Sequence, residues 1–231
     1  MSERIIDVYD NVLPESDAKA IDDVMSKMMW GYGHWKSDWD KNSYHWTRWC
    51  GKTPEEIIEN GMEFVLNIWN TFHTTLDFKS KYDLDTFDRI YMNAHTFGIE
   101  PNIHTDDGDF TMIYYPNLAW KSEWGGGTMF YDTYQKGYRG SVAPAQYCAG
   151  SGTPAGPIVA TKTDEVPIYN LDKLVDCKPN RLVVFDAQLP HMGQSVIRDC
   201  FELRYVIVFK GSVRAFNREG LDFYKDNSSK R

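Results

Sequence analysis

Apolar residues recur along this chain with two different spacings, and the change between them falls near residue 85. Residues 4–13 alternate apolar and polar positions well enough for a first strand. Pro14 then opens a helix, with Glu15 and Asp17 in the first turn and Ala20, Ile21, Val24, Met25 and Met28 at helical spacing. Gly31 and Gly33 end it. The stretch from Trp30 to Cys50 mixes tryptophan, tyrosine, histidine and charge without a clear period, which predicts loop plus short strands. Thr53 can cap a second helical region and Pro54 suits its first turn. The main helix there carries Met62, Val65, Ile68, Trp69, Phe72 and Leu76 on one stripe.

Beyond Asp85, short runs rich in Ile, Tyr, Val, Thr and Phe alternate with Gly, Pro, Asn and Asp clusters, the pattern of an antiparallel sandwich or barrel. Strands are predicted over 89–97, 103–106, 110–115, 127–131, 181–186, 192–195 and 203–210. Residues 137–157, rich in Gly, Ala, Ser and Pro, read as a long inserted loop, and a loop of that length is usually functional or mobile. The polar tail 225–231 reads as frayed. The expected architecture is α+β, mainly β: one domain over residues 1–231, with a helical and aromatic-rich support at 1–84, a jelly-roll core at 85–210 and a carboxy-terminal tail at 211–231.

Composition narrows the chemistry. The 25 Lys and Arg against 33 Asp and Glu give a net charge of −8, a field that repels phosphate backbones, so a nucleic-acid partner is not expected. No apolar run approaches the roughly 18 residues that a membrane span needs, and the amino terminus lacks a signal-peptide core. Cys50, Cys148, Cys177 and Cys200 are scattered without a CxxC pair, which fits buried or incidental thiols in a reducing cytoplasm. Five of the eight tryptophans fall between Trp30 and Trp49, where they either line a peptide groove or staple the helices to the sheet.

The candidate chemistry starts at Ile103-His104-Thr105-Asp106. Side chains two apart on a strand share a face, so His104 and Asp106 point the same way. An imidazole beside a carboxylate makes two thirds of the facial triad that binds non-haem Fe(II) and leaves open positions. Asp107 falls on the opposite face and Asp109 in a predicted turn. Only one histidine lies beyond His104: it is His191, just after an apolar strand. Thirteen positions later Arg204 opens the run LRYVIVF, where an unpaired charge would be costly. Its planar fork suits a buried carboxylate, so an inward-facing Arg204 would grip the far end of a dicarboxylic cosubstrate. Arg198 is the rival, in what looks like a turn.

Taken in order, HTDDGDFTMIYYPN, EWGGGTMFYD, PNRLVVFDAQLPHMGQSV and LRYVIVF resemble the catalytic core of the Fe(II)- and 2-oxoglutarate-dependent dioxygenases, in the prolyl 4-hydroxylase-like branch. The resemblance covers roughly residues 89–133 and 179–210. It implies a double-stranded β-helix, with His104, Asp106 and His191 as catalytic iron ligands. Arg204 becomes the partner of the 2-oxoglutarate C5 carboxylate and Tyr115 a second donor to it, although in the run Met112-Ile113-Tyr114-Tyr115 either tyrosine could face inward. Fe(II), 2-oxoglutarate and O2 are the implied cofactor and cosubstrates, with ascorbate as a candidate reductant. A carboxylate at 106, where halogenases of this fold carry a small residue, implies hydroxylation with release of succinate and CO2. Two departures stand out: extra chain between Asp132 and Lys178, which would suit a lid or an interface, and a longer step from His191 to Arg204.

The branch implies a prolyl side chain in a peptide or protein as substrate. A free amino acid or other small metabolite is the runner-up. The alternative of another class is a non-catalytic jelly-roll module that binds metal or sugar, which would have no need of a buried arginine facing a dicarboxylate.

Overall fold

The computed structural model describes residues 5–33, 45–99, 101–138 and 165–213. Strand β1 (Ile6–Asp10) leads into helix α1 (Glu15–Met25), then the short β2 (Gly31–Tyr32) and β3 (Trp46–Gly51). Three helices follow: α2 (Pro54–Glu59), α3 (Glu63–Thr75) and α4 (Phe78–Tyr82). The rest is strand: β4 (Arg89–His95), β5 (Phe110–Tyr115), β6 (Thr128–Tyr138), β7 (Glu165–Val175), β8 (Arg181–Asp186), β9 (His191–Gly193) and β10 (Arg204–Gly211). None of the described helices is long and apolar enough to cross a membrane.

The strands form two antiparallel sheets, a major one in the order β1-β8-β5-β10-β4-β3-β2 and a minor one in the order β7-β6-β9. A single bridge from His104 to His191 extends the minor sheet by a fourth position. The resulting interleaving, with β4-β10-β5-β8 facing His104-β9-β6-β7, is the jelly-roll arrangement predicted from the strand pattern.

Strand β10 explains why the two halves of the chain need each other. All eight of its residues are buried, although an antiparallel sheet commonly leaves one face to water. Tyr205, Ile207 and Phe209 join one core with Ile21, Val65, Ile68 and Phe72 of the helices. Val206 and Val208 join another, with Ile113, Val183 and Phe185 of the major sheet and Phe130 and Val175 of the minor sheet. Each large apolar side chain so buried contributes about 1.5–3 kcal/mol, which makes the helical layer a structural cover for the sheet.

The predicted helices form with the expected faces. Thr53 Oγ1 accepts from Glu56 N at 3.3 Å as the cap of α2, and Val65, Ile68, Trp69 and Phe72 are the buried stripe of α3. Helix α1 stops at Met25 rather than running on to Gly31, and Met28 packs on the core from outside it. Of the clustered tryptophans, Trp30 stacks on Tyr205 with 6.2 Å between ring centres. Trp46 packs against the same core, and Trp49 Nε1 donates to Glu56 Oε1 at 2.7 Å. These three staple the support to the sheet; Trp35 and Trp39 lie outside the described residues.

The strand pattern departs from the prediction in three places. The predicted strand 103–106 is reduced to one bridging residue, because His104 pairs with His191 while Asp106 N bonds the Ala187 carbonyl instead. The strand predicted at 127–131 runs on to Tyr138, into the stretch assigned to a loop, and β7 pairs with it throughout although no strand was predicted there. Pro167 hid β7: proline argues against a central strand, yet an edge strand tolerates it, and β7 lies at the sheet edge. The remainder of the predicted loop, Cys148 and the tail 225–231 lie outside the described residues.

Candidate active site

Where β9 meets the bridge at His104, three side chains converge. One ligand atom from each of His104, Asp106 and His191 lies within 4.8 Å of the others. Asp106 Oδ2 is 3.2 Å from His191 Nε2, and Asp106 Oδ1 is 3.7 Å from His104 Nε2. The backbone sets this geometry, since His104 N donates to the His191 carbonyl and His191 N to the His104 carbonyl, at 3.0 and 2.8 Å.

The outer nitrogens fix the chemistry of the inner ones. His104 Nδ1 lies 2.8 Å from the Asn102 carbonyl, and His191 Nδ1 lies 2.8 Å from the Leu189 carbonyl. A carbonyl only accepts, so each ring carries its proton on Nδ1 and turns an Nε2 lone pair inward. Desolvation of the ring, with the neighbouring His191 adding to it, lowers the His104 pKa and favours its neutral, ligating form. Phe185 packs edge-on to His191 at 4.7 Å and holds the ring in place. Two imidazoles and one carboxylate, oriented by carbonyls behind the rings, fit a divalent transition metal. His191 is buried, whereas the His104 side chain is 52% exposed, so the cluster opens to solvent on the His104 side.

Asp106 is the electrostatic centre. Burial by itself would raise its pKa, but the adjoining His191 ring and the charge of Lys210 outweigh burial and hold the carboxyl well below its ordinary range. Thr111 Oγ1 donates to Asp106 Oδ2 at 2.7 Å, and Lys210 Nζ forms an ion pair with the same oxygen. The neighbouring carboxylates are engaged elsewhere. Asp107 pairs with Arg89, and Asp109 Oδ2 accepts from Val213 N at 2.8 Å.

Arg204 lies on the inner face of the same strand as Lys210, and only 2% of it is exposed. Its Nε donates to the Gly126 carbonyl at 2.7 Å, and its guanidinium carbon lies 5.6 Å from the centre of the Tyr115 ring. Among the described residues no carboxylate forms an ion pair with it. Gly126 has φ +77°, and a Cβ there would come within 3.0 Å of Trp120 and 3.3 Å of Arg204, so glycine is required for this approach. Tyr115 shares the inner core with its hydroxyl 2.6 Å from Thr128 Oγ1. Tyr114 faces the helices and donates to Asn180. Arg198 is exposed in the loop between β9 and β10. His95, directly across from Arg204 in the β4–β10 register, is buried with its Nδ1 unpartnered among the described residues.

Lys210 and Thr111 were not singled out from the sequence. Lys210 follows Arg204 by six positions in one strand, an even step that puts both cations on one face. The argument that a charge in an apolar strand needs a partner, applied to Arg204, would have found it.

No family model matches this sequence, and no curated protein matches it. Its fold is similar to that of solved 2-oxoglutarate/Fe(II) oxygenases. One structure with this fold is a prolyl hydroxylase from Trichoplax adhaerens in complex with a hypoxia inducible factor oxygen degradation domain peptide fragment. It is 15% identical, with 90% of this chain and 83% of that chain covered at a TM-score of 0.51. A prolyl-4-hydroxylase from Pseudomonas putida is 13% identical, over 91% of this chain and 94% of that one, with a TM-score of 0.51. An oxidoreductase of the 2OG-Fe(II) oxygenase family from Burkholderia pseudomallei is 12% identical, over 90% and 84%, with a TM-score of 0.53. At these identities the likeness is one of fold, and the chemistry must be argued from the side chains.

Proposed function

We propose that this chain is an Fe(II)- and 2-oxoglutarate-dependent dioxygenase that hydroxylates an unactivated C–H bond, with a prolyl residue of a peptide or protein as its substrate. The observation that carries the reading is that the two facing sheets hold both a His-Asp-His cluster and a buried arginine without a carboxylate partner among the described residues. A module that only bound metal or sugar would have no use for the second feature.

His104 and His191 would hold the iron through Nε2 and Asp106 through a carboxylate oxygen. Bound iron with 2-oxoglutarate and O2 supplies the oxidising power for hydroxylation, and succinate and CO2 are the co-products. The carbonyls of Asn102 and Leu189 keep both imidazoles in the ligating tautomer. Arg204 grips the far carboxylate of 2-oxoglutarate and fixes which end reaches the metal. Tyr115 presents its hydroxyl and ring beside that guanidinium. Val206, Val208 and Phe130, packed in the core between the two sheets, make the surroundings apolar, which would protect the oxidant from side reactions. The exposed edge of His104 gives substrate its approach.

The prolyl assignment draws on the motif resemblance and on two prolyl hydroxylases among the fold neighbours, one of them solved with a peptide. The negative charge speaks against nucleic acid, and a cytoplasmic setting would keep the metal ferrous and the buried Cys50, Cys177 and Cys200 reduced. The testing experiment is a succinate-release screen with Fe(II), ascorbate and a panel of proline-containing peptides and small metabolites. Succinate formation together with a peptide heavier by one oxygen atom supports the reading. Consumption of a small metabolite with unmodified peptides would transfer the activity to the runner-up substrate class, and no succinate from any mixture would defeat the oxygenase assignment.

A further inference from the structure

Hydroxylation as set out above uses one buried cation, Arg204, yet the site holds two. Lys210 is 1% exposed and stands directly across from Thr111 in the β10–β5 register. Its Nζ donates to Thr111 Oγ1 at 2.8 Å and pairs with Asp106 Oδ2. That same oxygen accepts from Thr111 and lies 3.2 Å from His191 Nε2. A dication held by the two imidazoles and Asp106 therefore meets a carboxylate whose charge an ammonium already balances. Away from water the repulsion between metal and ammonium is weakly screened, so the metal alone is held less firmly than the three ligands would allow. An anion joining the metal removes that penalty.

We propose that Lys210, placed by Thr111, makes metal binding and dianion binding mutually dependent, so that the centre holds its metal loosely until a dicarboxylate such as 2-oxoglutarate arrives. The proposal rests on the oxygenase reading above. By linkage, the factor by which the dianion tightens metal binding equals the factor by which metal tightens the dianion. Lys210 acts through Asp106 and the local charge, and is a positioning residue.

The test titrates Mn(II), a redox-stable substitute for Fe(II), into the full chain and reads free Mn(II) by electron paramagnetic resonance, with and without 2-oxoglutarate. Wild type is expected to bind Mn(II) at least about tenfold more tightly with 2-oxoglutarate present. Lys210→Gln keeps a donor for Asp106 and Thr111 but removes the charge. It is expected to bind Mn(II) alone about tenfold more tightly than wild type, with the 2-oxoglutarate enhancement reduced by a similar factor. Lys210→Arg keeps the charge and should stay within about threefold of wild type on both counts. If Lys210→Gln binds Mn(II) alone no better than wild type, the lysine only braces Asp106 and the coupling is refuted. A wild-type enhancement below about threefold refutes it whether or not the variants fold. Wild type that takes up no Mn(II) overturns the oxygenase reading as well, whereas tight, dianion-dependent uptake unchanged in Lys210→Gln removes the coupling alone.

Discussion

Asp106 Oδ2 lies against an ammonium, a hydroxyl and an imidazole, while Oδ1 faces His104. Truncating any one ligand leaves two, too few to hold Fe(II) with open positions in a fixed geometry. His104→Ala, Asp106→Ala and His191→Ala are each expected to abolish iron-dependent turnover of 2-oxoglutarate, measured as succinate, while thermal melting shows the fold retained. At Arg204 the expectation concerns binding. Losing the fork leaves a buried cosubstrate carboxylate unpaired, about 3 kcal/mol, so Arg204→Ala should raise the KM for 2-oxoglutarate about 100-fold. An unchanged KM would move the role elsewhere. At this scale the sequence was legible in part: spacing put His104 and Asp106 side by side, although the strand behind that argument is reduced to one bridging residue, and Arg204 stood out by its cost in an apolar strand. The choice of Tyr115 over Tyr114 was not legible, because alternation says that two neighbours face opposite ways without saying which is inside.

The strands are held to the support by a few polar clamps. Asp10 at the end of β1 accepts from Arg181 Nε at 2.7 Å and Nη2 at 3.0 Å, a forked pair that fastens β1 to β8. The Arg181 hydrogen bond, aided by Lys178, lowers the Asp10 pKa from 3.8 to about 2. A carboxyl depressed in the folded state stabilises above its ordinary pKa, and that contribution is lost as the pH falls toward the depressed value. Asp10→Asn should therefore lower stability at neutral pH, with the difference from wild type shrinking between about pH 4 and about pH 2 in urea titrations. Asn180, at φ +54°, is a second clamp. It accepts from Leu13 N at 3.0 Å and donates to the Leu13 carbonyl at 2.8 Å, tying the start of α1 to β8. Asn180→Ala removes both of these bonds and the one from Tyr114 and disfavours the left-handed backbone, and should cost about 2–4 kcal/mol in the same assay. Helix faces and most core strands could be read from the sequence because hydrophobic period and capping residues agree. Strand β7 could not, since Pro167 and the exposed Leu171 and Leu174 belong to an edge strand whose partner supplies the order.

Across the whole molecule, the two sheets bring together residues that lie 85 positions or more apart in the chain. Sequence order offered the candidates that the fold brings together, because only one histidine follows His104, but it carried no distance. The convergence appears only once β9 pairs with β6 and bridges to His104. The helical layer covers the outer face of the major sheet. Phe72→Ala, which empties the contact between α3 and that face, should cost about 3–5 kcal/mol of stability, while the protein still folded keeps its KM for 2-oxoglutarate. One ion shared by His104, Asp106 and His191 is the centre of the proposed chemistry. Anomalous diffraction from crystals grown with Mn(II) and 2-oxoglutarate tests it. A single strong peak is expected within bonding distance of both Nε2 atoms and an Asp106 oxygen, with the far carboxylate of the cosubstrate on Arg204. A peak at another group of residues, with this cluster empty, would contradict it.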